Sequence, residues 1–462
     1  LISLFPDQER LVNKVRDAMK ESKSVLMVSP TGSGKTRMAA YMIDAARNKN
    51  NKIIFTVPRK DLLEQTSLDF NKHGITHSYI AAEREYNPHS NVYIGMIDTM
   101  ARRLDRLPKA NFIIHDEAHF GEGSRDKVIK HYESSGAWNL GLSATPTKLS
   151  GKGLICWYNR MVEGESIRWL IDNKRLSAYT YYMGKTKPDL SHIDTVAGEY
   201  NRGQLSDYME HQGAIVGDCV SDYRKRCMGR LHIVRCASIK HSQMVAESFR
   251  SAGIPARHVD GEMSNAERKP VFMAFARREL LVLTFSDLLN FGFDLSQITG
   301  IDVCIESSSD LKPSKSLAGQ MQFWGRSLRY KDYGAIFNDH VNNCMTHGLP
   351  CDEREWSLDG VDKGTGSNKE KLIPVRQCTE CDFCSKPSLV CPNCGFVYPV
   401  KPRKITHVDG ELVEVKIGDK IVKINKDRKK QLHTLINLAR KKGIPNAEHF
   451  AMTIINKQSG RA

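Results

Sequence analysis

The stretch SPTGSGKT, Ser29 to Thr36, follows the apolar run VLMV (Val25–Val28) and leads into a helix-like segment, RMAAYMIDAAR. A glycine-rich turn between a buried strand and a helix presents backbone N–H groups to phosphate oxygens, with the helix N-terminus behind them. Thr31, Gly32, Ser33 and Gly34 would form the cradle, Lys35 would reach the β- and γ-phosphates, and the Thr36 hydroxyl would hold Mg²⁺. Ser29 stands where the usual eight-residue pattern begins with glycine. The pattern restricts the chain to folds in which a strand runs directly into a phosphate-facing helix.

Further strand-like runs repeat that unit. KIIFTV (52–57), NVYIGM (91–96), NFIIHD (111–116) and NLGLSA (139–144) alternate with helical stretches such as DLLEQTSLDFNKHG. The alternation argues for a parallel sheet with helices on both faces. It resumes at LHIVRC (231–236), ARHV (256–259), LLVLTF (280–285), GIDVCIE (300–306) and GAIFND (334–339). Ser264 and Glu267 read as a capping box opening the helix between two of these runs. Two α/β domains are therefore expected, at 1–150 and 230–360. Residues 151–229 would form a connector and the start of the second domain, with an extra strand near YTYYM and a helix over QLSDYMEHQGAIVGDCV. VDKGTGSNKEK opens a polar, Gly-rich linker at 361–376.

At 462 residues the chain is long enough for two or three cores. No run of 18 apolar residues points to a membrane span, and the start lacks a charged-then-apolar signal pattern. Seven of the twelve cysteines are scattered singly, while five crowd between Cys378 and Cys394. This suits a reducing cytosol with one metal site better than a disulfide framework. The net charge is +15, of which residues 401–462 supply +9, with 15 Lys/Arg against 6 Asp/Glu. Such an excess beside a nucleotide site favours a polyanionic partner, most simply nucleic acid.

NFIIHD delivers Asp116-Glu117-Ala118-His119 to a strand's C-terminal end, where open α/β sheets bind ligands. Asp116 would hold Mg²⁺ through water, and Glu117 would orient and deprotonate the attacking water. Together, SPTGSGKT, VPRKDLLEQ, DEAH, SATPT and QFWGRSLR, in this order, resemble the superfamily 2 helicases and translocases of DEAH type. That resemblance covers about residues 1–345 and implies two tandem RecA-like domains that bind and hydrolyse ATP between them. It places Gln8 as the reader of adenine, and Gln322, Gly325, Arg326 and Arg329 in the last motif, whose arginines reach across the cleft to the γ-phosphate. Thr284 and the GFD at Gly292–Asp294 match the motif coupling nucleotide to the bound strand. His115, ahead of the acidic pair, is a departure.

Gln322, where the DEAD-box RNA group has histidine, and VPRKDLLEQ resemble the DNA-acting branch. The likeness is nearest to RadD and related phage helicases, and more distant to UvsW-type branch-migration enzymes. It implies a cytoplasmic enzyme, monomeric on DNA, that unwinds or remodels forks and junctions in replication, recombination or repair. RNA unwinding, and the motor subunit of a restriction or defence assembly, are the alternatives.

CTECDFCSKPSLVCPNCG carries two C-x-x-C knuckles, Cys378/Cys381 and Cys391/Cys394, nine residues apart. This spacing predicts a zinc ribbon over 377–400. Cys384 also makes C-x-x-C with Cys381, so the register is ambiguous; Cys378 is favoured because CTEC and CPNC then match. Residues 401–462 would add a hairpin turning at Asp409-Gly410 and a basic helix, KDRKKQLHTLINLARKKG, for nucleic acid or a protein partner.

Overall fold

A computed structural model describes residues 2–148, 151–184, 188–196, 198–211, 213–286, 295–360, 375–399 and scattered residues from 435 to 451. The chain divides into two units, Leu1–Tyr398 and Pro399–Ala462. The expected linker up to residue 374, the hairpin and most of the basic helix lie outside the described residues.

In the first unit, seven strands form one sheet: β1 (Ser24–Val28), β2 (Ile53–Val57), β3 (Ser78–Ile80), β4 (Val92–Met96), β5 (Phe112–His115), β6 (Trp138–Ser143) and β7 (Arg160–Glu163). Their order is β3-β4-β2-β5-β6-β1-β7, with every pairing parallel. Continuous apolar runs suit strands covered on both faces, and β1 and β2 are buried along their whole length. β7 lies past the expected boundary at 150 and joins the first sheet as its edge. Its residues are half-buried or exposed, so no apolar run marks it in the sequence.

The second sheet opens with β8 (Tyr179–Met183), the strand expected near YTYYM. A short pair, β9 (Thr195–Val196) and β10 (Glu199–Tyr200), stands apart. Two helices, Arg202–Glu210 and Gly213–Asp222, replace the single expected one. Then come β11 (His232–Arg235), β12 (Ala256–His258), β13 (Val282–Phe285), β14 (Ser307–Asp310) and β15 (Ala335–Asp339), in the order β12-β13-β11-β14-β15-β8, again all parallel. The capping box forms: Glu267 N–H donates to Ser264 Oγ (3.3 Å) and Ser264 N–H to Glu267 Oε2 (2.8 Å).

One expected strand is displaced. GIDVCIE is not a strand; the ladder runs through Ser307–Asp310, a polar run that propensity would not choose. Its hydroxyls have buried partners: His232 Nδ1 bonds Ser307 Oγ (2.8 Å) and His232 Nε2 bonds Ser309 Oγ (3.0 Å). Val303 and Ile305 instead serve the core beside the cleft between the sheets.

Candidate active site and nucleic-acid groove

The strands whose C-terminal ends carry the motifs are neighbours. β1 ends in the phosphate loop, β5 in Asp116-Glu117, and β6, which lies between them, in Ser143-Ala144-Thr145. Gly32 and Gly34 hold φ of +87° and +88°, left-handed conformations that glycine adopts without steric cost. Gln8 Nε2 donates to Ser33 O (2.8 Å), while its Oε1 accepts from Phe5 N–H (3.1 Å). Ser29 donates its hydroxyl to Ser33 Oγ (2.7 Å), so the departure at the first loop position ties the loop to itself. Lys35 Nζ donates to the carbonyls of Ser29 (3.0 Å) and Pro30 (3.3 Å). Burial lowers its pKa, Glu117 and Asp116 oppose that, and Arg326 from the other lobe adds to it.

Asp116 and Glu117 are both buried, and Glu117 is held at φ +44°. Burial, reinforced by Glu117, pushes the Asp116 carboxyl up to about 7. Such a buried acidic pair is a site built to receive positive charge. Arg125 braces the turn, donating from Nε to Phe120 O (2.8 Å) and from Nη2 to the carbonyls of Asp116 and Glu117 (3.3 Å each). Arg125 carries no motif, and nothing in the sequence marks it. His119 Nδ1 lies 2.9 Å from Ser143 Oγ and 3.6 Å from Glu117 Oε2, linking DEAH to SATPT. Burial brings its pKa down to about 3, leaving the ring neutral. His115, the other departure, is a buried ring bonded to Thr56 Oγ1 (2.7 Å) within the sheet.

The second lobe completes the cleft through the helix Leu317–Ser327. Gln322 Nε2 donates to Glu117 Oε2 (3.1 Å), a direct bond between the lobes. Arg326 and Arg329 line the same cleft, of about 310 Å³, as Thr31, Lys35, Thr36, Asp116 and Glu117. Arg329 Nη1 also donates to Ser296 Oγ (3.0 Å). Gly325 packs on the phosphate loop so closely that a Cβ there would sit 2.4 Å from Thr31 Cβ. The structure thus brings together the motif residues expected in the cleft, save Gly292 and Asp294, which lie outside the described residues. Thr284 is buried away from the cleft, donating to Ser242 O (2.8 Å).

A second cleft, of about 740 Å³, runs between the lobes at the C-terminal ends of β2, β11 and β13. Arg59, Lys60 and Asp61 line one side; Ile239, Asp260, Gly261, Arg268 and Ser286 line the other. Arg268 Nη2 approaches Asp61 Oδ1 across it (3.7 Å). Apart from VPRKDLLEQ, sequence reasoning did not find this groove. Its second-lobe members follow separate strands and share no pattern.

Cys378, Cys381, Cys391 and Cys394 bring their four Sγ atoms within 4.8 Å of one another. Two like turns present them: Cys378 N–H donates to Phe383 O (2.9 Å) and Cys391 N–H to Phe396 O (2.8 Å). Sulfur separations of 3.6 Å (Cys378–Cys394) and 3.7 Å (Cys381–Cys391) match the edge of a tetrahedron with Zn–S near 2.3 Å, about 3.8 Å. Burial raises the Cys391 thiol, but the N–H groups of Cys394 and Asn393 outweigh it and bring it down to about 6, toward the thiolate a metal needs. Cys384 lies elsewhere, buried with its Sγ 3.4 Å from Met183 Sδ. The four-cysteine module docks on β8 through Gln377 Nε2 to Met183 O (2.7 Å) and on the turn Tyr223–Cys227 through Arg226 Nη2 to Asp382 Oδ2 (3.3 Å).

A phosphate loop on one parallel sheet, closed by arginines from a second, defines a two-lobed nucleotide-driven motor. Comparison with known proteins bears this out. The family described as type III restriction enzyme, res subunit, matches residues 1–148, and the helicase conserved C-terminal domain matches 218–331. A 51.5 kDa protein of a Lactococcus phage (isolate 7-9) is 31% identical over 82% of this chain and 79% of its own length. A Schizosaccharomyces pombe protein, assigned as the mitochondrial ATP-dependent helicase irc3, is 26% identical over 64% of this chain. This chain spans about half (51%) of that relative's length. The fold resembles a fragment assigned as an HsdR subunit of a type I restriction enzyme from Vibrio vulnificus YJ016. There the TM-score is 0.57 and the identity 17%, over 74% of this chain and 65% of that one. The chain belongs to the superfamily 2 helicases, and its enzymatic activity is that of an ATP-dependent helicase.

Proposed function

We propose that this protein is a DNA translocase that uses ATP to unwind or remodel branched DNA, such as forks and junctions. The observation that carries this reading is the groove of about 740 Å³ whose walls come from both lobes. The same two lobes complete the ATP cleft, so a change in their spacing moves whatever both of them grip. Arg59, Lys60 and Arg268, set against Asp61 and Asp260, leave the groove a small excess of positive charge suited to phosphate.

In this reading the phosphate-loop N–H groups and Lys35 hold the triphosphate, and Gln8 reads the base. Thr36 and Asp116 would hold Mg²⁺, whose charge would offset that of the phosphates. Glu117 orients the attacking water and takes its proton, and Arg326 and Arg329 stabilise the charge that develops in the transition state. Gln322 in the second lobe steadies the Glu117 carboxylate. Gly292 and Asp294 couple the cleft to the strand. The four cysteines fit Zn²⁺, which would hold the two knuckles as one module.

The expected division into domains at 1–150, 230–360, 377–400 and 401–462 remains part of this proposal, with β7 extending the first lobe to Glu163. The basic region, with its +9, would grip a duplex arm beside the strand being pulled. Among the described residues no helix is long and apolar enough to cross a membrane. A reducing, cytoplasmic setting, in which the four clustered cysteines would be available to a metal, belongs to this reading. A second reading, a duplex-DNA motor in a restriction or defence assembly, draws support from the restriction-enzyme family match over 1–148.

The deciding experiment compares ATPase stimulation and unwinding by single-stranded DNA, duplex, fork, four-way junction and RNA, with the full chain and with residues 401–462 removed. Fork and junction should stimulate most. The truncation should weaken branched-DNA binding and flatten its salt dependence, whose log–log slope is near −0.9 per phosphate contact on duplex. Stimulation by duplex without strand separation would favour the restriction-type motor, and preference for RNA would refute the DNA assignment.

A further inference from the structure

Three consecutive residues between the lobes join the chain around Gln8 to the phosphate loop and to Arg329. They follow the helix Ile167–Asp172, which ends at Asn173; Lys174 then adopts φ +55°, and Arg175 and Leu176 N–H both donate to Leu170 O (2.7 and 3.0 Å). Arg175 lays its guanidinium on the Phe5 ring, 3.1 Å from the centroid, and pairs with Asp7 (3.3 Å). Phe5 and Asp7 precede Gln8, whose amide bonds the Phe5 backbone and Ser33 of the phosphate loop. Leu176 is buried against the loop: a Cβ on Gly32 would lie 3.0 Å from its Cδ2. Leu176 also bridges antiparallel to Arg329. Ser177, fully buried, donates its hydroxyl to Arg329 O (2.6 Å), and its own N–H donates to Leu328 O (2.9 Å). Lys331 Nζ donates to the same Arg329 carbonyl (3.1 Å).

We propose that Arg175-Leu176-Ser177 is a positioning strut that sets the register of Arg329 against the phosphate loop according to what occupies the nucleobase side of the cleft. The proposal rests on reading the cleft as the ATP site with Gln8 at the base. The strut is short and buried from Leu176 onward, so a displacement of Arg175 from the Phe5 ring cannot be absorbed by slack. It is passed through one leucine and one serine to the backbone of Arg329. A misplacement of about 1 Å in a group stabilising a transition state lowers turnover by about 10²-fold. Hence a small movement at Phe5 suffices for control. Arg175 is partly exposed and lies outside the fully buried core, so its replacement can be read separately from folding.

The test is a double-mutant cycle on the full chain with saturating single-stranded DNA, reading kcat and KM for ATP and GTP. Arg175→Ala should lower kcat for ATP about tenfold and shrink the ATP-to-GTP ratio of kcat, with thermal stability close to the parent. In an Arg329→Ala background the same change should have little further effect on kcat, because the two act in series. Arg175→Lys, which keeps the charge beside Asp7 but not the flat stack, should recover only part of the rate. Equal loss of kcat with and without Arg329, a change in KM alone, or an unchanged ATP-to-GTP ratio would overturn the strut. Glu117→Gln serves as the separate control: if it turns over normally, the ATP-site reading fails whatever Arg175 does.

Discussion

Gly325→Ala isolates the contact between the arginine-bearing helix and the phosphate loop. A Cβ at this position would lie 2.4 Å from Thr31 Cβ and 2.6 Å from Thr31 Cγ2. Carbon atoms rest at about 3.5–4.0 Å, so helix and loop must part by about 1 Å. Nothing in the local backbone opposes the change, since alanine favours a helix over glycine by about 1 kcal/mol. The cost therefore falls on the geometry of Arg326, the next residue, against the cleft. A displacement of that size in a reacting constellation costs about 10²-fold in rate, or about 2.7 kcal/mol of transition-state stabilisation. Steady-state ATPase assays with DNA should show kcat reduced by about two orders of magnitude. Equilibrium binding of a fluorescent nucleotide should weaken only a few-fold. A Gly325→Ala enzyme with kcat within twofold of the parent would refute the argument, because the contact would then have yielded without moving the arginines.

Lys35→Ala should abolish nucleotide binding, whereas Glu117→Gln should bind ATP and hydrolyse it very slowly; equilibrium binding and single-turnover assays separate the two. One zinc ion per chain should copurify, released by Cys391→Ser or Cys394→Ser and retained by Cys384→Ser, as metal analysis of the purified variants will show. Burial brings the Lys331 amine down from 10.5 to about 8. The unfolded chain then holds that proton between about pH 8 and 10.5 while the folded chain releases it, so stability rises with pH across this window. The effect is bounded by roughly 3 kcal/mol, and denaturation midpoints of the parent should gain on those of Lys331→Met between pH 8 and 10. A constant difference would show that Lys331 keeps its ordinary pKa.

The phosphate loop, the acidic pair and the glutamine-arginine helix were legible in the sequence because each is a short contiguous run whose chemistry requires those residue types at that spacing. The alternation of apolar runs with helical stretches likewise fixed two parallel sheets, since strands covered on both faces must be apolar throughout. The four cysteines were legible as knuckles, yet only the packing of Cys384 against Met183 separated it from the cluster. What the sequence could not say is where long-range partners compensate for a poor local choice. Ser307–Asp310 is a buried strand because His232 and Arg235, over seventy residues earlier, satisfy its polar side chains. Arg125 matters because folding lays it under the carbonyls of Asp116 and Glu117. Arg175, Leu176 and Ser177 carry no pattern; their contact with Arg329 forms within the second lobe, and those with Phe5 and Gly32 exist only once the two lobes pack together. Local spacing encodes the chemistry within each motif. The distances between motifs, which decide whether that chemistry is assembled, belong to the tertiary structure, because they are set by packing among residues far apart in the chain.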